Sequence, residues 1–112
     1  MDKRRDERYT LWFPVNVTTE DAKQTLAVAK DASRSGIGIS SPTGLETGSL
    51  VQLAFRVPPD GGVEYTVTGI VARHERNPDD PHGMWPFRIG IAFEQALPEL
   101  EALLAETAKK PT

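Results

Sequence analysis

Cysteine is absent from the 112 residues, which excludes a disulfide framework, a thiolate metal site and a cysteine nucleophile. Histidine is scarce: His74 and His82 are the only two, and their spacing matches no zinc-binding motif. Apolar runs stop after a few residues, far short of the ~20 that a membrane-spanning helix needs. The opening MDKRRDERYT has no apolar stretch of the secretory kind, so the expected location is cytoplasmic, with no membrane insertion. A strong charge of one sign is also missing. Thirteen Lys+Arg against 16 Asp+Glu leave −3, and this mild acidity argues against binding a nucleic-acid polymer. Catalytic patterns are missing as well. There is no GxxxxGK[ST] loop and no GxGxxG. Asp31, Ser33 and His74 are triad residue types, but no nucleophile elbow surrounds the serine. Glu99 and Glu101 diverge on a helix and make no acid/base pair. Neither an enzyme nor a metal site is expected.

What is present reads as short strands. Leu11, Phe13, Val15 and Val17 alternate over 11–18, with Pro14 favouring an edge or a bulge. In 25–30 the reading puts Leu26 and Val28 on the inner face; in 36–41 it pairs Ile37 with Ile39. Val51, Leu53, Phe55 and Val57 share a face in 50–57, and Pro58 to Gly62 make a strong turn signal. Val63, Tyr65, Val67 and Val71 follow in 63–73, and Ile89, Ile91 and Phe93 in 88–93. The stretch ERNPDDPHGMWPF between the last two strands reads as a long loop, a place for mobility or binding. Pro98 suits the first position of a helix, and Leu97, Leu100, Leu103 and Leu104 recur at helical spacing. Lys109 and Lys110 suit its C-terminal dipole, and Pro111 stops it. Trp12, Trp85 and Tyr9 either offer a stacking face or, as is commoner for such aromatics, pack in the core or at a barrel end. Six short strands and one terminal helix imply a small closed or nearly closed β-barrel in a single domain. Side chains fill the interior of so small a barrel, so function belongs on an outer face, a rim or an attached arm.

Two polar pieces remain. Arg4, Arg5 and Arg8 lie with Lys3 in the first eight residues, diluted by Asp2, Asp6 and Glu7 to a net +1. Asp31-Ala32-Ser33-Arg34-Ser35-Gly36 makes a polar turn between strands two and three. Either piece alone is ordinary, since charged termini fray and Asp, Ser and Gly fill turns.

In this order, RRxxR before the first strand and then DxSxxG, the chain resembles the PilZ domain family. LETGSLVQLAFRVP, TVTGIVARHE and FRIGIAFEQ are similar to that family's later strands, so the likeness runs from about Arg4 to Glu106. The resemblance implies an all-β fold: a six-stranded antiparallel PilZ-type barrel with a C-terminal α-helix. It divides the chain into a flexible arm, 1–10, and a barrel plus helix, 11–108. It implies a binding module without catalytic activity or cofactor, whose ligand is the second messenger cyclic di-GMP. Arg4, Arg5 and Arg8 would carry the first motif, and Asp31, Ser33 and Gly36 the second. The chemistry agrees. A guanidinium forks onto a phosphate or onto guanine O6/N7, which lysine cannot do. An aspartate accepts from the guanine N1–H and N2–H₂ edge, a serine adds a short hydroxyl bond, and glycine permits close backbone approach. The arm is expected to close over the ligand. Ordering ~5 residues costs roughly 1–2 kcal/mol each, offset by charge-assisted bonds of ~1.5–3 kcal/mol each.

The sequence departs from the family pattern where Ser35 stands before Gly36. Arg34 adds a further cation, and Asp6 and Glu7 are placed to compete for Arg5 or Arg34. Two readings follow. One is a receptor that relays cyclic di-GMP to an unidentified effector protein in motility, envelope or biofilm regulation. The other is a PilZ-like adaptor that binds no nucleotide. A barrel for single-stranded nucleic acid is disfavoured, because no strand face is both basic and studded with aromatics.

Overall fold

A computed structural model describes residues 9–56, 64–80 and 82–108, with side chains as far as residue 105. Six strands and a helix follow in chain order: β1 (Tyr9–Thr19), β2 (Gln24–Ala32), β3 (Gly36–Ser41), β4 (Leu50–Arg56), β5 (Glu64–Arg76), β6 (Phe87–Phe93) and α1 (Pro98–Ala108). The strands pair antiparallel in the ring β1-β2-β3-β6-β5-β4, and β1 closes it against β4. The barrel, its strand number and its closing helix agree with the sequence expectation. Arg4, Arg5 and Arg8, the turn at 58–62, Val57, Val63 and the 109–111 stop signal lie outside the described residues.

The alternation that names the strands also fills the barrel. Phe13, Val15 and Val17 of β1, Val51, Leu53 and Phe55 of β4, and Ile89, Ile91 and Phe93 of β6 are all buried. Phe13 and Phe55 meet with ring centroids 5.5 Å apart, and Tyr65 stacks on Phe55 at 5.6 Å. Strand β2 corrects the expectation. Ala27 and Ala29 face the core at 0% exposure, whereas Leu26 is 55% exposed; Val28 is buried but lies outside the core cluster. Volume complementarity explains the choice. Ala29 faces Phe13 and Ala27 faces Val15 in the register, so small residues on β2 make room for large ones on β1. Trp12 corrects a second expectation: it is exposed, while Tyr9 is half-buried against the core and Trp85 is half-buried.

The helix covers part of the barrel. Pro98 occupies its first position, Leu100 and Leu104 are fully buried, and Leu97 and Leu103 pack at the margin of the core. The β1–β2 turn carries Ala22 at φ 68°, a left-handed conformation unusual for a residue with a Cβ. Beside it, the Thr19 hydroxyl donates to Asp21 Oδ1 and, aided by Lys23, holds that carboxyl below the usual carboxylate range.

The β5–β6 connection is shorter than the sequence implied, because Glu75 and Arg76 belong to β5. It is also laced together. Asn77 is buried; its Nδ2 donates to Trp85 O at 2.8 Å, and its Oδ1 accepts from Asp79 N at 3.1 Å. The Asp80 carboxylate accepts from Trp85 N at 3.0 Å, and a Cβ on Gly83 would collide with that carboxylate.

Candidate functional site

The DxSxxG segment is a strand end plus a tight turn. Asp31 and Ala32 belong to β2, not to the turn, and Asp31 pairs with Thr10 on one side and Gly38 on the other. The chain reverses over Ser33, Arg34 and Ser35. Ser33 N donates to Gly36 O at 2.8 Å, and the fully buried Ser33 Oγ accepts from Ser35 N at 3.2 Å. The serine hydroxyl thereby builds the turn from within, a role that short hydroxyl side chains take readily. Gly36 is glycine for a steric reason: a Cβ there would stand 2.7 Å from the carbonyl oxygen of Ile91.

This turn is clamped to two other elements. Ser35 O accepts from Phe93 N at 2.9 Å at the end of β6, and Arg34 O accepts from Leu97 N at 2.7 Å at the entry to α1. The Arg34 guanidinium lies 3.7 Å from the Glu101 carboxylate on the helix. Arg34, which the sequence left as an added cation near the site, therefore joins the turn to α1.

Beside the turn, the outer side of β3 and β6 is covered by side chains from β2 and β5. Ile37, Ile39, Ile89 and Ile91 point inward, so Gly38 and Gly90 between them face outward, and the two glycines are partners across β3 and β6. The Asp31 carboxylate lies over one of them: a Cβ on Gly38 would stand 2.9 Å from its Oδ1. The Arg73 guanidinium lies over the other: a Cβ on Gly90 would stand 3.1 Å from its Nε and Nη2. Arg73 is the β5 partner of Gly90. A shallow pocket of about 290 Å³ opens here, lined by Ser35, Gly36, Arg73 and Gly90 among others.

The structure thus brings Asp31, Ser33 and Gly36 together at one end of the β2–β3 hairpin. The first described residue, Tyr9, pairs with Ala32, and Thr10 pairs with Asp31, so the chain enters the barrel beside that hairpin. The three arginines of the first motif precede this point. Gly38, Gly90 and Arg73 share the same face and were not singled out from sequence. The available signal was the Ile-Gly-Ile triplet repeated in two strands, which puts glycine on the outer side twice. Among the described residues no cluster of His, Asp or Glu is suited to a metal ion, and no helix is long and apolar enough to cross a membrane. His74, one of the two histidines, packs against the Phe87 ring at 5.1 Å.

The profile of the PilZ domain family matches residues 2–108. No curated protein matches the sequence. Similar solved structures include the PilZ domain of Escherichia coli YcgR with c-di-GMP, with a TM-score of 0.71 at 15% identity over 96% of this chain and 89% of that one. The Bacillus subtilis inhibitor of motility, MotI/DgrA, gives a TM-score of 0.71 at 17% identity over 96% of this chain and 50% of its own. The K. pneumonia MrkH–c-di-GMP complex gives 0.71 at 18% identity, over 96% and 51%. The chain therefore spans about half the length of the MotI and MrkH chains, and at these identities the likeness is one of fold.

Proposed function

Because this chain belongs to the PilZ domain family, we propose that it is a receptor module for cyclic di-GMP. The solved neighbours that hold c-di-GMP support this class of ligand. One observation carries the reading to particular residues, the register at the start of β1. Tyr9 pairs with Ala32 and Thr10 with Asp31, and Arg8 is bonded directly to Tyr9. The first described residue of β1, next in sequence to the last arginine of RRxxR, thus pairs within the DxSxxG segment, which supports assigning both motifs to one site.

In this reading Arg4 and Arg8, with Arg5 as the extra cation, fork onto phosphate and guanine edges. Asp31 accepts from the N1–H and N2–H₂ edge of one guanine, Gly36 lets the turn pack against β6, and Ser33 holds the turn in shape. No bond is made or broken, so the module binds and does not catalyse. A response passes to a partner protein, and the clamp from Arg34 to Leu97 and Glu101 supports α1 as the element that feels occupancy of the turn. A cytoplasmic location fits a receptor for an internal messenger.

Titration calorimetry of the full chain with cyclic di-GMP tests the proposal beside Arg8→Ala and Asp31→Ala. Each substitution removes charge-assisted bonds of about 1.5–3 kcal/mol, so affinity falls by about tenfold or more. Absence of heat from the unaltered chain at tens of micromolar protein leaves the adaptor reading in its place.

A further inference from the structure

We propose that the outer face of β1, β2 and β4 is an interface between two copies of this chain, closed by Trp12 of each copy lying on Leu26 of the other. The inference goes beyond the receptor reading and does not rest on it. Three observations carry it. First, the face is apolar. Trp12 is 66% exposed and Leu26 55%, two of the four exposed large apolar side chains among the described residues. Between them lie exposed Pro14 and its ladder partner Val28, which is buried yet stands outside the core cluster. Second, the face is uncharged. In a chain with 26% charged residues, β1 has none, β2 has none before Lys30, and β4 has none before Arg56. Interface centres are depleted of charge and enriched in aromatic side chains. Third, the face is complementary to itself. Trp12 is two residues from Pro14, and Leu26 is two residues from Val28, on the opposite side of that pair. At about 3.3 Å per residue each stands about 7 Å from it. A two-fold axis lying in the interface and crossing the strands at the pair therefore sets Trp12 of one copy on Leu26 of the second copy, twice.

The same axis lays the strands of the two copies antiparallel. The Lys30 end of one hairpin then points toward the β1–β2 turn of the other, where Glu20 and Asp21 against Lys23 leave one negative charge. Opposite signs at the two ends fix the register. A strongly charged partner finds no complement on this face, whereas a second copy matches both its apolar middle and its ends. Size sets the strength. Trp12 to Thr18 span about 23 Å and three strands about 14 Å, a footprint of roughly 300 Å². A standard interface covers ~800 Å² on each partner, so this dimer is weak, with a Kd on the order of 100 µM.

The test is sedimentation equilibrium of the full chain without nucleotide, from about 10 µM to about 1 mM, a range that brackets the expected Kd. The average mass should rise from 12.3 kDa toward twice that value. Trp12→Lys and Leu26→Glu should each stay monomeric, and unchanged melting temperatures show that these exposed positions are altered without unfolding. Mixing the two variants tests the symmetry. The lysine of one then faces the glutamate of the other, while the second contact keeps Trp12 on Leu26, so the mixture forms a dimer that neither variant forms alone. Trp12→Ser, which adds no charge, should raise Kd about tenfold. A chain monomeric throughout overturns the inference and leaves the face to a different kind of protein. A dimer that survives both charged substitutions overturns it too, as does a mixture that stays monomeric. Calorimetry with cyclic di-GMP decides the receptor reading separately, so either can fail alone.

Discussion

Gly36 and Gly38 lie two apart on one face of β3, and each is glycine for a different reason. The space beside Gly36 is closed by the backbone carbonyl of Ile91, which cannot yield without shifting β6. The space beside Gly38 is closed by the end of the Asp31 side chain, which can rotate away. Gly36→Ala is therefore expected to lower stability by about 1–3 kcal/mol, the usual range for forcing an extra carbon into a packed site. Gly38→Ala is expected to leave the urea midpoint nearly unchanged, since a Cβ also relieves the entropic cost of glycine in a strand. It should instead weaken cyclic di-GMP binding by displacing the carboxylate. Equal urea midpoints for the two variants would contradict this division of roles.

At the scale of elements, the β5–β6 connection owes its shape to Asn77. This buried side chain satisfies one backbone group on each side of the loop, Trp85 O and Asp79 N. Asn77→Ala removes two hydrogen bonds of about 0.5–1.5 kcal/mol each; Asp79 is exposed and Trp85 half-buried, so water can take the vacated places. Guanidinium denaturation and amide exchange at Asp79 measure the effect; an unchanged midpoint with unchanged exchange refutes it. The sequence made this region a loop by its prolines but could not show a loop tied from inside, because an Asn bonding eight positions away leaves no local pattern. Strand β2 failed differently. Its apolar residues sit at both parities, and only the bulk of Phe13 and Val15 across the ladder decides that alanines go in and Leu26 goes out. The hairpin of the candidate site was legible because its residues are consecutive. Gly38, Gly90 and Arg73 were not, since three separate strands supply them and only the register brings them together.

Over the whole molecule, one core joins everything. Buried apolar residues from all six strands and from α1 belong to a single cluster, with Leu100 and Leu104 of the helix fully enclosed. The helix and the barrel should therefore unfold together. Leu104→Ala is expected to cost about 2–5 kcal/mol, as for other large-to-small changes in cores. Far-UV circular dichroism and tryptophan fluorescence should keep coincident midpoints in both proteins and shift by the same amount. Loss of helical signal in a separate, earlier transition would show α1 to be an independent unit.

Closure of β1 onto β4 has a consequence for signalling. Among the described residues every strand has a neighbour on each side, but the pairing is partial: β1 meets β4 only through Val15–Thr19, and β5 meets β4 only through Glu64–Ile70. A docking protein therefore meets side chains on the curved exterior, the helix, or the ends of β1 and β5 that lack a β4 partner. On the proposed reading, a messenger bound at the hairpin would change the pattern that a docking protein meets on this exterior.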